Sequence, residues 1–308
     1  MAELTQPGSI PVGQISPSGN VNPMGTAPNP LEKYFRQPKL YIALPSKGYY
    51  YAKGSIDLPS NGEVPIYAMT AKDELILKTP DALLNGASTT EVIQSCCPSI
   101  KDAWDMPSID LDTVLIALRI ATYGEKITIT STVPGIDPAE KKDFELDLRT
   151  VLDKFSNVNY ENVCEIGAMK ITIRPQTYRE FTATALKTFE EQRLFQVVAD
   201  DEMNEEEKLA RFQASFKKLT ALTINLVSQS IVQIQDGDTI VVNRDHIDEF
   251  IQKADKDFYS ALVKHIEVNR NKFQLEPMKV QSTADEQKRG APASYTVPVS
   301  FDHSAFFV

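Results

Sequence analysis

Cysteine, histidine and tryptophan are scarce in this chain of 308 residues, with three, three and one copies respectively. Cys96 and Cys97 are adjacent and Cys164 stands alone. There is thus neither a disulfide ladder nor the ligand spacing of a zinc ribbon, and a reducing compartment is the natural setting. Positive charge is also short: 32 basic residues face 42 acidic ones, for a formal charge of −10. A molecule of that sign repels phosphate backbones, which disfavours general nucleic-acid binding. No apolar run approaches the roughly 20 residues a membrane helix needs, so no membrane insertion is expected. The N-terminus lacks the basic start and apolar core of a secretory signal. The 13 glycines are scattered through turns, with no dinucleotide fingerprint and no P-loop.

What is present is unevenly distributed. Residues 1–38 hold seven of the 19 prolines and four of the 13 glycines. Such a segment cannot bury enough surface to offset its ordering entropy, so it is expected to be an arm that orders only along a partner. Tyr34 and Phe35 near its end are candidate contact residues. From Leu40 the alternation of Leu40, Ile42 and Leu44 with Tyr41, Ala43 and Pro45 predicts a strand, and Val64–Tyr67 a second. Thr70–Asp73 reads as a capping box opening a helix, and Ser88–Glu91 as another. Thr79–Pro80 is the expected start of a short helix carrying Leu83 and Leu84, stopped by Gly86. Asp110 is expected to cap a helix apolar on more than one side, which places it mid-domain. Ile127 and Ile129 alternate with threonines, and Phe144, Leu146 and Leu148 with acids, on either side of Pro134–Pro138, which predicts a hairpin. Met169–Ile173 is a further strand, stopped by Pro175.

The second half reads as mainly helical. Thr177–Glu180 forms a capping box before a pattern through Phe181, Leu186, Phe189, Leu194 and Val198. Asn204 is the expected cap of a long helix whose Leu209, Phe212, Phe216, Leu219, Leu222 and Leu226 make a narrow seam for a neighbouring helix. Asp236–Gly237 marks a hairpin, and Asn243 and Asp255 each cap a helix. Between Glu180 and Ala210 lie nine acidic and three basic residues, a concentrated electronegative surface suited to a basic partner. Phe301, Phe306, Phe307 and Val308 close the sequence. Leaving such aromatics in water forfeits roughly 1.5–3 kcal/mol apiece, so they are expected to fold back or to plug a pocket on another molecule.

The expected class is α+β. Residues 39–174 form an N-terminal α+β domain, 175–275 a mainly helical domain with one hairpin, and 276–308 terminal strands and an aromatic tail. No catalytic, cofactor or metal constellation is expected. His246 between Asp245 and Asp248 reads as a solvated helix start, His265 as a surface residue, Cys96–Cys97 as small buried hydrophobes, and Trp104 as a lid on the core.

Several stretches together resemble the baseplate hub proteins of T4-like contractile-tailed bacteriophages. They include Leu44–Gly48, Ala68–Glu74, Ala117–Gly124, Pro175–Tyr178, Phe189–Arg193, Leu222–Ile224 and Val297–Asp302 with Phe306–Phe307. The resemblance covers residues 40–308. It implies a non-enzymatic virion protein of the tail baseplate, assembled in the host cytoplasm, with hub, tube or wedge proteins or further copies of itself as partners. A transient assembly chaperone is the alternative, and a tail-associated peptidoglycan hydrolase a third reading for which no acid pair presents itself. Relatives are expected to carry paired cysteines after the Thr-Tyr-Gly segment and before the terminal strand. This chain has Thr132–Asp137 and Ala284–Ser294 there, without cysteine, so turn chemistry must replace the metal.

Overall fold

A computed structural model describes residues 31, 34–78, 86–200 and 205–299, without the side chains of 192, 194–200 and 205. The chain divides into two units, Met1–Phe35 and Arg36–Val308. Arg36 and Pro38, within the arm on sequence grounds, belong to the second. In the first, Tyr34 and Phe35 expose 74% and 56% of their surface.

The α+β class holds: among the described residues of the second unit, short antiparallel strand groups alternate with helices. The first core gathers β1 (Pro38–Ala43), β2 (Glu63–Tyr67), α1 (Ala71–Leu77), α2 (Ala87–Cys96), α3 (Ser108–Tyr123) and α4 (Leu148–Ser156). In β1 the alternation works as the sequence requires, with Leu40 and Ile42 inside and Lys39, Tyr41 and Ala43 outside. The middle of α3 is the centre of the core, since Val114, Ile116, Ala117 and Leu118 are fully buried. Its last turn ends on Gly124 at φ 97°, a conformation glycine adopts without strain. Trp104 sits in a short 3-10 turn and stacks on Tyr178 at 5.7 Å.

Two expected caps are placed differently. The Thr70 box is formed, with Asp73 N–H donating to Thr70 Oγ1. The Ser88 box is not, because α2 begins two residues earlier, from Gly86, and the Ser88 hydroxyl donates to the Ile76 carbonyl instead. Asp110 does not cap α3, which starts at Ser108. Its buried carboxylate accepts from Ser46 N–H at 2.8 Å, Ser46 Oγ at 2.5 Å and Tyr51 Oη at 3.1 Å. Asp110 therefore staples the loop after β1 to the central helix. The Thr79–Leu84 helix lies outside the described residues, as does the Asn204 cap.

Helix α4 was not anticipated. Leu148 is its first residue rather than the end of a strand, Asp147 caps it through the Arg149 N–H at 2.9 Å, and Leu148, Leu152 and Phe155 form its buried face. Before it, β3 (Lys126–Thr132) and β4 (Lys141–Asp147) pair as the expected hairpin.

A second core packs β5 (Val163–Ile166), β6 (Met169–Ile173), β7 (Ile231–Asp236) and β8 (Thr239–Val241) in one antiparallel sheet of order β5-β6-β7-β8. The strands β5 and β6, grouped with residues 39–174 on sequence grounds, thus share a sheet with strands from the second half. Ile171 faces Ile234 across the central ladder. Helix α6 (Glu205–Ser230) feeds β7 directly, and α7 (Arg244–Lys253) and α8 (Lys256–Asn271) cover the sheet, with Asn243 and Asp255 capping as expected. The buried Asn269 side chain both donates to and accepts from the backbone of Glu161, and His265 Nε2 lies 3.0 Å from the Glu161 carbonyl, so α8 is clasped to the strand entry.

A third cluster lies where the two cysteine-free segments meet. Val133, Ile136 and Phe144 of the first hairpin pack against Ala291, Tyr295 and Val297. Tyr295 and Val297 belong to β10 (Ser294–Val297), which pairs with β9 (Met278–Gln281), Ala291 precedes it, and helix α9 (Ala284–Lys288) lies between the two strands in sequence. Ion pairs Lys142–Glu286 at 2.7 Å and Arg289–Glu140 at 2.5 Å cross the same junction. Apolar contact and paired charge hold these segments together.

Candidate functional site

The most developed concavity begins at the root of α5 (Tyr178–Asp200). Thr177 and Glu180 form the expected capping box, with Thr177 N–H donating to Glu180 at 2.9 Å and Glu180 N–H returning to Thr177 Oγ1 at 3.2 Å. Arg174 grips the same carboxylate with two bonds of 2.9 and 2.6 Å. Burial pushes the Glu180 carboxyl up, but Arg174 and the Thr177 N–H outweigh it and hold it below the usual range. Backbone bonds Ser108 N–H to Gln176 O and Tyr178 N–H to Met106 O then fix the start of α5 against the start of α3.

Between these anchored elements runs a groove of about 490 Å³, lined by Ile109, Leu111 and Asp112 of α3, Phe181, Ala185 and Phe189 of α5, Leu226 of α6, and Arg270 with Phe273 at the end of α8. A smaller hollow of about 200 Å³ shares Ile109, Leu226 and Arg270 and continues toward Tyr160 and Val263. Phe181 and Phe189 remain 48% and 57% exposed. Asp112 accepts no hydrogen bond from the described residues, and burial alone pushes its carboxyl up to about 6. The Arg270 guanidinium has no carboxylate partner among the described residues. The groove is thus an apolar trough with one acid and one base, of a shape and polarity suited to receive a peptide segment.

The helix pair α5 and α6 offers a second surface. Lys218 and Glu191 join the two helices at 3.1 Å, and Leu219, Leu222 and Leu226 are half-buried as the seam requires. The first half of the seam departs from expectation: Leu209, Phe212 and Phe216 expose 58%, 54% and 64% of their surface. Acids of the 180–210 stretch lie on both helices, but the charged residues interleaved with the strip itself are basic: Lys208, Arg211, Lys217 and Lys218.

Of the residues singled out from sequence, Tyr34 and Phe35 lie exposed in the first unit, while Phe301, Phe306, Phe307 and Val308 lie outside the described residues. The groove residues are legible in the sequence only as helix periodicity: Phe181 and Phe189 belong to the pattern that follows Thr177–Glu180, and that pattern does not show the exposure of their side. Cys96 and Cys97 are free and buried, their thiols pushed up to about 11 and about 12 chiefly by desolvation, which makes them packing residues. Among the described residues no group of three or more His, Cys, Asp or Glu side chains is placed to hold a metal ion. No described helix is long and apolar enough to cross a membrane.

The exposed features of this α+β protein are an apolar groove and an apolar strip beside charged residues. The family described as T4 bacteriophage base plate protein matches residues 52–288, and the chain belongs to it. It is a bacteriophage baseplate protein, located in the virion tail and interacting there with other tail proteins. No curated protein and no solved structure matches the chain.

Proposed function

We propose that this chain is a non-enzymatic structural component of the central hub of the baseplate, joined by protein–protein contacts to hub, tube or wedge neighbours of a contractile tail or to further copies of itself. The observation that supports the reading is the exposed strip Leu209–Phe212–Phe216 on α6 in a family of baseplate proteins. Large apolar side chains exposed at helical spacing favour an interface with a partner face that is apolar at its centre. Tyr34 and Phe35, at the end of the proline-rich arm, and Phe301, Phe306, Phe307 and Val308 are the further contact residues in this proposal. The arm, read from sequence as residues 1–38 and shortened to 1–35 by the place of Arg36 and Pro38 in the folded unit, lies along such a neighbour in this proposal. Residues 39–174, 175–275 and 276–308 serve as the α+β body, the helical docking element and the terminal strands with their tail.

Chemical crosslinking of intact tails tests the reading. Links from Lys208, Lys217 or Lys218 on α6 to other hub proteins are expected. Links confined to cytoplasmic assembly intermediates favour the transient chaperone instead.

A further inference from the structure

The groove that α3, α5 and α8 leave open has an occupant within reach. We propose that in the unassembled protein the chain's own segment 300–308 seats its phenylalanines in this groove, across Phe181, Phe189, Leu226 and Phe273.

The strand register gives the direction. β10 runs antiparallel to β9, with Val297 opposite Met278. Beyond Val297 the chain therefore heads the way residues 277, 276 and 275 lead back, toward Gln274 and Phe273, which line the groove. Gln274 and Met278 are separated by four residue steps, at most about 14 Å, whereas nine residues span up to about 30 Å when extended. Segment 300–308 can thus pass Gln274 and still lay several residues along the trough.

The chemistry of the two sides agrees. The groove presents two phenylalanines about half exposed beside Leu226, Ile109 and Phe273. The segment carries Phe301, Phe306 and Phe307 within nine residues. Charge matches as well: Asp302 and His303 bring an acid and a base to a groove whose own charges are Asp112 and Arg270. Tethering raises the segment's effective concentration to the millimolar range for a short linker, so the chain's own tail outcompetes one from a second copy at ordinary protein concentrations. This inference concerns the free chain, and the hub assignment stands or falls separately, on the contents of the particle.

The test uses the full chain. Ala185 is an exposed groove residue, and Ser304 lies between the phenylalanines. In an Ala185→Cys, Ser304→Cys variant, mild oxidation at micromolar concentration is expected to give an intrachain disulfide in a monomer of unchanged far-UV dichroism. A folded monomer that forms no such bond, or that forms only interchain dimers, overturns the proposal. Independently, Phe306→Ala with Phe307→Ala is expected to speed amide exchange over residues 181–189 by about tenfold while leaving β6 and β7 unchanged. Unchanged exchange over 181–189 overturns it too.

Discussion

Gly135 and Gly290 meet backbone to backbone. A Cβ on Gly290 would lie 2.6 Å from the Gly135 carbonyl oxygen, and one on Gly135 would lie closer still to the Gly290 carbonyl oxygen. Both residues have positive φ, 79° and 108°. The contact joins the turn of the first hairpin to the loop before β10, the two places where paired cysteines were expected in relatives.

Gly135→Ala combines a left-handed backbone penalty with a clash against backbone that cannot rotate away. It should destabilise the protein by about 2–4 kcal/mol. Chemical denaturation monitored at Tyr295, by a probe of the third cluster, checks this. Gly237→Ala is the control, because a Cβ there meets nothing within 4 Å; only the backbone term, about 1 kcal/mol, is expected.

Much of this fold was legible because local patterns and tertiary demands agree. The strands of the first hairpin alternate with period two, and the Thr70, Thr177, Asn243 and Asp255 caps act on the helices the sequence assigns them. The failures have physical reasons. Asp110 looks like a cap, but its carboxylate has better donors in Ser46 and Tyr51, which lie 64 and 59 residues away. Leu148 continues the alternation of β4 and so masks the start of α4. The groove was not legible at all: it arises from the relative placement of four helices, and nothing in Phe181 or Phe189 alone distinguishes a half-open aromatic from a buried one.

Asp112 carries the clearest pH signature. Its carboxyl titrates near 6 in the folded chain against an ordinary value of about 3.9, so the folded state holds this proton more tightly than the unfolded state does. Stability from this group therefore falls as pH rises from about 4 to about 6 and is flat above that. Asp112→Asn removes the penalty. The variant should exceed the parent by about 1–2 kcal/mol at pH 7, after discounting for the groove's openness, and match it near pH 4. Thermal melts of both proteins across that range check the sign.

Arg36 marks where the folded unit begins. Its guanidinium donates to Ala68 O at 2.8 Å and Ser95 Oγ at 2.9 Å, bonds the Ser95 carbonyl, and pairs with the buried Asp73 at 3.3 Å. Removing residues 1–35 should leave the melting temperature nearly unchanged. Arg36→Ala should cost about 1–3 kcal/mol, since it strips bonds from a buried carboxylate and a carbonyl. Calorimetry of the two proteins side by side separates the arm from the clasp.

The exposed strip on α6 makes the opposite prediction for stability and assembly. Leu209→Ser with Phe216→Ser should change unfolding free energy by no more than about 0.5 kcal/mol, because both side chains are largely in water. Complementation of a phage lacking the wild-type gene should nevertheless yield fewer complete tails. Normal tail yield from this double variant would remove the strip from the interface.

A permanent place in the baseplate hub is what we propose for this chain. Quantitative mass spectrometry of purified, completed tails tests it most directly. This chain is expected at a fixed stoichiometry to the other hub proteins; its absence from completed tails, with retention in assembly intermediates, would overturn the proposal.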